Sequence, residues 1–282
     1  MSGFLQAVAT EPFLQHAVLA GALASIGCGI TGTYVVVKRL GYLAGGIAHS
    51  VLGGMGAAYY LGSPPMIGAL LSALLAALAI GWISLRFQQY EDTLIGAMWA
   101  IGMAVGVLFI SQTPGYNVDL MSYLFGNILM VRSQDLYLMA AVDLVIACCV
   151  VLFYRQFLAV SFDEEFARLR GIKVDFWYLL LLSLVALTVV LLIQVVGLIL
   201  VIALLTLPAA IAGQYTGTLG RMMLVAIGLG ALFTSGGLAL SYAPDLPSGA
   251  TIILLSGVAY ILSTVGTVLF RRWRLRRWQR AV

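Results

Sequence analysis

The chain has 282 residues, of which 62% are hydrophobic and only 9% are Lys, Arg, Asp or Glu. Water-soluble domains carry about 25% charged residues, so most of this surface faces something other than water. The net charge of +4 is spread over loops and one end rather than gathered on a face, which argues against a nucleic-acid partner.

A helix needs roughly 20 mainly apolar residues to cross a hydrocarbon core about 30 Å thick. Several runs reach that length, and they lack the short alternating strands of a barrel. The backbone in lipid must bond within itself, so the composition predicts an all-α, polytopic transmembrane helical bundle. Hydropathy places about nine crossings, at 13–37, 42–61, 66–85, 94–111, 135–154, 176–194, 196–213, 222–240 and 249–270. Eight remain if one run is re-entrant. No basic stretch precedes the first run, and Met1 to Pro12 holds one charge, Glu11. That run therefore reads as a retained span rather than a removable signal. From Phe176 to Ala212 the chain is almost unbroken in apolarity, with Gln194 and Gly197 as the expected turn.

Cytoplasmic loops are enriched in Lys and Arg. With the N-terminus outside and the C-terminus cytoplasmic, the inner loops hold Lys38, Arg39, Arg86, Arg155, Arg168, Arg170, Lys173 and Arg221, and the tail 271–282 adds six arginines. Of the 15 basic residues, only Arg132 falls outside. The tail then faces anionic lipid headgroups.

The second span is dense in glycine and carries His49, with Gly45 four residues before it and Gly53 four after. Residues four apart share a helix face, so this is a small-residue lane with one imidazole in it. Imidazole is a good ligand for zinc, iron and related ions. The alternative is a histidine hydrogen-bonded across a helix seam, with Ser50 beside it. Gly102 and Gly106, and again Gly213 and Gly217, have the small-xxx-small spacing that lets helices approach in lipid. The outer loop Ser111 to Gln134 opens on a turn signal, Thr113-Pro114-Gly115. It then holds a short apolar piece within 119–131 that could be re-entrant.

Asp143 lies mid-span in the fifth crossing, where a carboxylate lines a cation path, pairs with a polar group inside the bundle or stays neutral. Cys28, Cys148 and Cys149 all lie in apolar runs and read as small buried side chains, not as a metal knuckle or disulfide framework. The inner segment 156–175 carries a short helix that Ser161 could cap and Gly171 could end. Phe162, Phe166 and Leu169 form its apolar stripe, suited to docking on a protein or lying on lipid. Asp245 sits in the stiff outer loop Pro244-Asp245-Leu246-Pro247, either drawing cations to the mouth or capping the last span. No G-x-x-x-x-G-K-[ST] loop is present, so the chain is not expected to be an enzyme, and any ATP is hydrolysed by another chain.

Four stretches, in order, carry a resemblance. They are Lys38-Arg39 with Gly45-Gly46-Ile47-Ala48-His49-Ser50-Val51-Leu52-Gly53; Phe162-Asp163-Glu164-Glu165-Phe166-Ala167 with Gly171-Ile172; Val196 to Ala210; and Asp245-Leu246-Pro247-Ser248-Gly249. In these the chain resembles the integral membrane subunits of bacterial ATP-binding-cassette importers for zinc, manganese and iron. The resemblance implies a single permease domain over 1–282 in the bacterial inner membrane, paired with a second copy. It also implies a cytoplasmic ATPase dimer and an external metal-binding protein as partners. No permanently bound cofactor is implied, only a divalent metal as substrate.

By the same resemblance His49 matches the family's pathway histidine. Phe162, Asp163, Glu164, Glu165, Ala167 and Gly171 match the segment that sits on the ATPase. Gly45 departs from the family, because many members, the manganese types especially, have an aspartate there. Loss of that hard oxygen donor leans the expectation toward zinc. The alternatives are a permease for iron chelates, a stand-alone ion-coupled secondary transporter, and a membrane scaffold without transport.

Overall fold

The computed structural model describes residues 2–87, 91–113, 126 and 128–279. Its helices are α1 (Ser2–Thr10), α2 (Pro12–Val37), α3 (Gly41–Tyr60), α4 (Pro65–Arg86), α5 (Glu91–Ser111), α6 (Ser133–Leu152), α7 (Tyr154–Phe162), α8 (Glu164–Leu169), α9 (Val174–Val196), α10 (Leu198–Tyr215), α11 (Leu219–Tyr242) and α12 (Ser248–Gln279). No strand occurs among the described residues. Proline opens α2 and α4 at the first helical position, where its missing N–H would have been unbonded anyway. The apolar run expected to turn near Gln194 and Gly197 breaks at Gly197 alone, with φ 83° and ψ 159°. One straight helix over 174–215 would extend roughly 60 Å, twice the apolar core, so this single glycine redirects the chain.

Among the described residues eight helices are long and apolar enough to cross a membrane: α2, α4, α5, α6, α9, α10, α11 and α12. The remaining long helix, α3, has 20 residues, but glycine and His49 dilute its apolarity. It is packed between α4 and α5, which supply the cover its own side chains lack.

Pairwise contacts give the relative directions. Gly54 of α3 meets Gly68 and Ser72 of α4 while Gly46 meets Ile80, so α3 and α4 are antiparallel. Gly81 of α4 packs on Leu179 and Leu182 of α9, and Ser84 bonds Tyr178 at 3.0 Å, again antiparallel. Gly21, Ser25 and Gly29 of α2 run past Thr234, Gly230 and Ile227 of α11 in opposite sense. By contrast α3 and α5 are parallel: Gly45 meets Trp99, Gly53 meets Gly102 and Gly56 meets Gly106. Each relation is the one that strict up-and-down alternation of the long helices requires.

The core is centred on α2, α3, α9 and α10, with Tyr34, Ile47, Leu182, Leu200 and Val201 fully enclosed. The helices α5, α6 and α12 turn large apolar side chains outward, among them Ile101, Leu108, Leu144, Val151, Leu262 and Leu269. Lipid tails are as apolar as these side chains, so close packing and polar contacts, not water release, hold the helices together.

Three expectations are corrected. The inner segment is two helices, α7 and α8, not one: Ser161 belongs to α7, and Asp163 is the cap of α8, accepting from Phe166 N at 2.9 Å. An aspartate outcompetes the serine because Asp163 already has extended backbone geometry, φ −151° and ψ 96°, as N-caps require. Cys148 is exposed and Cys149 half-buried, because α6 lies at the rim of the bundle. Gly213 meets the side chain of Met222, and Gly217 faces open space, so this pair forms no helix seam. The possible re-entrant piece within 119–131 lies largely outside the described residues; its end is a single 3₁₀ turn, Ile128–Met130, with Ile128 buried.

Candidate functional site

The α3–α5 seam is built from the glycine positions that the sequence places on two separate helices. A Cβ on Gly53 would lie 2.9 Å from the Gly102 carbonyl oxygen, and one on Gly102 would lie 2.9 Å from the Ser50 Cα. A Cβ on Gly56 would lie 2.6 Å from the Gly106 carbonyl oxygen. Backbone therefore rides on backbone, and no larger residue fits without separating the helices.

At one end of this seam the glycine of α3 faces a large ring instead. Trp99 covers Gly45, whose added Cβ would lie 3.0 Å from the indole Cζ3. The same indole stacks on the imidazole of His49, with centroids 4.1 Å apart and planes 18° from parallel. Tyr42 also packs against the indole, with centroids 5.9 Å apart. His49 is only 7% exposed, and its Nδ1 is buried with no hydrogen-bond partner among the described residues. Ser50, the neighbour a packing role would use, instead donates to the Gly46 carbonyl at 2.9 Å. The small-residue lane is thus roofed by α5 within the same chain. Sequence reasoning passed over Trp99; its signal was the spacing Trp99, Gly102, Gly106, which puts the ring and both glycines on one face of α5.

Asp143 stands apart from this seam. It projects from α6 toward α2, where Gly27 leaves room for it: a Cβ there would lie 2.6 Å from Oδ1 and 3.4 Å from the Thr188 methyl. Its Oδ2 is buried without a partner among the described residues. Asp245 is exposed in the turn between α11 and α12, with φ 53°. Among the described residues no three His, Cys, Asp or Glu side chains converge to hold a metal ion, so His49, Asp143 and Asp245 do not form a cluster.

The inner segment forms a second feature. Asp163 caps α8, and Glu164 and Glu165 fill its first turn, where carboxylates suit the positive helix end. Gly171, φ 76°, ends it: Gly171 N donates to Arg168 O and Ile172 N to Ala167 O, both at 3.0 Å. Ala167 is fully buried beneath, while Phe162, Phe166 and Leu169 are 67%, 51% and 87% exposed. Phe162 also lines a cavity of about 520 Å³ with Val37, Gln214, Thr216 and Met222. The α2–α3 turn, the inner segment and the α10–α11 turn, all expected on the inner side, therefore gather at one end of the bundle.

The comparisons agree with this architecture. The model of the ABC 3 transport family matches residues 10–267. The chain belongs to that family. A probable metal transport system membrane protein of Chlamydia pneumoniae is 43% identical over 251 residues, covering 87% of this chain and 86% of the relative. A manganese transport system membrane protein, MntC, of Halalkalibacterium halodurans is 34% identical over 278 residues, covering 97% and 95%. Among solved structures, PsaBC from Streptococcus pneumoniae in complex with Fab matches with a TM-score of 0.84 and 31% identity, over 93% of this chain and 94% of that one. The chain is accordingly a multi-pass membrane permease subunit of an ATP-binding-cassette transporter for metal.

Proposed function

We propose that two copies of this chain form the path of an importer that moves a divalent transition metal inward across the bacterial inner membrane, with His49 as a transient ligand. The observation that carries this reading is the buried Nδ1 of His49 beneath Trp99, a nitrogen donor without a hydrogen-bond partner among the described residues. One ligand holds an ion weakly, as a conduit requires for release. In this reading nine helices cross, the N-terminus is external, and 1–282 is one permease domain with coupling segment 156–175 and basic tail 271–282. An external metal-binding protein delivers the ion near Asp245. A separate ATPase dimer docks on the exposed stripe of α8, and its ATP cycle moves α5 off His49 so that the ion can pass. Asp143 supplies a carboxylate deeper in the bundle.

Gly45 offers no oxygen donor beside His49, and a nitrogen-led site favours zinc over manganese. A second reading, manganese, is supported by the name of the Halalkalibacterium relative. Uptake by the complete complex in proteoliposomes, with zinc, manganese and iron in competition, tests both. Zinc should displace the others, and preferential manganese uptake would overturn the zinc reading. His49→Ala at normal protein levels should lower uptake about tenfold or more, equivalent to roughly 1.4 kcal/mol of lost ion stabilisation at the barrier. Unchanged uptake would remove His49 from the path.

A further inference from the structure

Lys38 ends α2 and has only 8% of its side chain exposed, which is unusual for a lysine at an inner loop. Its ammonium forms an ion pair with Glu164 Oε1 at 2.5 Å, in the first turn of α8. It also donates to the Val160 carbonyl at 2.8 Å, in the last turn of α7. It lies 5.0 Å over the ring of Tyr178 on α9, whose hydroxyl is 3.0 Å from Ser84 Oγ on α4. One cation thus joins α2, α7, α8 and α9. The other ion pair among the described residues, Arg168 with Asp175, is about half exposed and ties α8 only to the start of α9.

The tight turn on the C-terminal side of Lys38 gives the pair its meaning. Only Lys38, Arg39 and Leu40 separate α2 from α3. Arg39 has φ 58°, a conformation costly for a residue with a Cβ, and Leu40 is buried. Leu40 N bonds back to Val35 O at 2.7 Å. This turn is short, bonded and anchored, so displacement at Lys38 passes to the start of α3. His49 lies about 12 Å further along that helix.

We propose that Lys38 is a positioning residue that latches α8 to the α2–α3 turn, so that movement imposed on α8 is delivered to α3 and its histidine. This rests on the reading of α8 as the surface on which the ATPase docks. The latch gives the buried lysine a function, and it gives Glu164 a role different from that of the outward-facing stripe.

The test uses the full complex with its ATPase and external binding protein in proteoliposomes, measuring metal moved per ATP hydrolysed. That ratio does not depend on how much protein folds. Lys38→Met and Glu164→Gln should each lower it about tenfold, within the 5- to 150-fold range of coupling between sites. The double variant should lower it no further, because the two residues act as one link. If uptake and hydrolysis fall together with the ratio unchanged, Lys38 is merely structural and the proposal is overturned. A double variant whose loss is the product of the two single losses overturns it as well. Leu169→Asp separates the latch from its premise. If that variant still co-purifies with the ATPase, α8 is not the docking surface and the latch falls with it; if association is lost while the Lys38 and Glu164 ratios stay normal, the latch alone is wrong.

Discussion

At His49 the decisive feature is what the ring touches. Its face is covered by Trp99 at 4.1 Å, its Nδ1 is without a hydrogen-bond partner among the described residues, and the position one turn earlier is a glycine. Aspartate at that position would add a hard oxygen donor to the same helix face. Gly45→Asp is therefore expected to raise manganese uptake relative to zinc about tenfold, a shift of roughly 1.4 kcal/mol, read from competition assays. The new Cβ would sit 3.0 Å from the indole, so the same change should be made with Trp99→Phe, which gives space. An unchanged ratio in both variants would exclude position 45 from metal selection. The histidine and its glycine neighbours were legible in the sequence because helical spacing places them on one face. The tryptophan roof was not, because which helix covers that face is a tertiary fact.

Among the elements, the α3–α5 seam is sensitive to substitution because its glycines meet backbone. Gly53→Leu drives a branched side chain into the Gly102 carbonyl. Overpacking of this kind costs about 1–3 kcal/mol, so the variant should show a lower melting temperature in detergent. A substitution at Gly217, which faces open space, should not. Equal melting of the two variants would mean that the seam does not bear on stability. Here the sequence showed Gly53 on α3 and the pair 102/106 on α5, without showing that the two helices meet there. The inner segment was legible in its apolar stripe and in its end at Gly171, but its start was misread. Ser161 and Asp163 are both good caps by residue type, and only the backbone conformation at Asp163 chooses between them.

For the whole molecule, the order and extent of the long helices could be read from hydropathy, and the packing directions fit their alternation. Hydropathy alone undervalues α3, because glycine dilutes it while α4 and α5 bury it. The expected sidedness is tested by single cysteines in a chain whose Cys28, Cys148 and Cys149 have been replaced. An impermeant thiol reagent added outside should label Ala243→Cys and leave Leu169→Cys untouched, while reagent added inside should do the reverse. Swapped labelling would invert the assignment. The parallel contact between α3 and α5 has a mechanical consequence. Interlocked side chains must climb over one another when helices slip, but two smooth backbones in contact present few teeth. A slip shorter than the glycine spacing along this rail therefore meets little steric friction except where the indole is clasped to the imidazole, so that one stacked pair acts as the detent setting how readily the two helices shift.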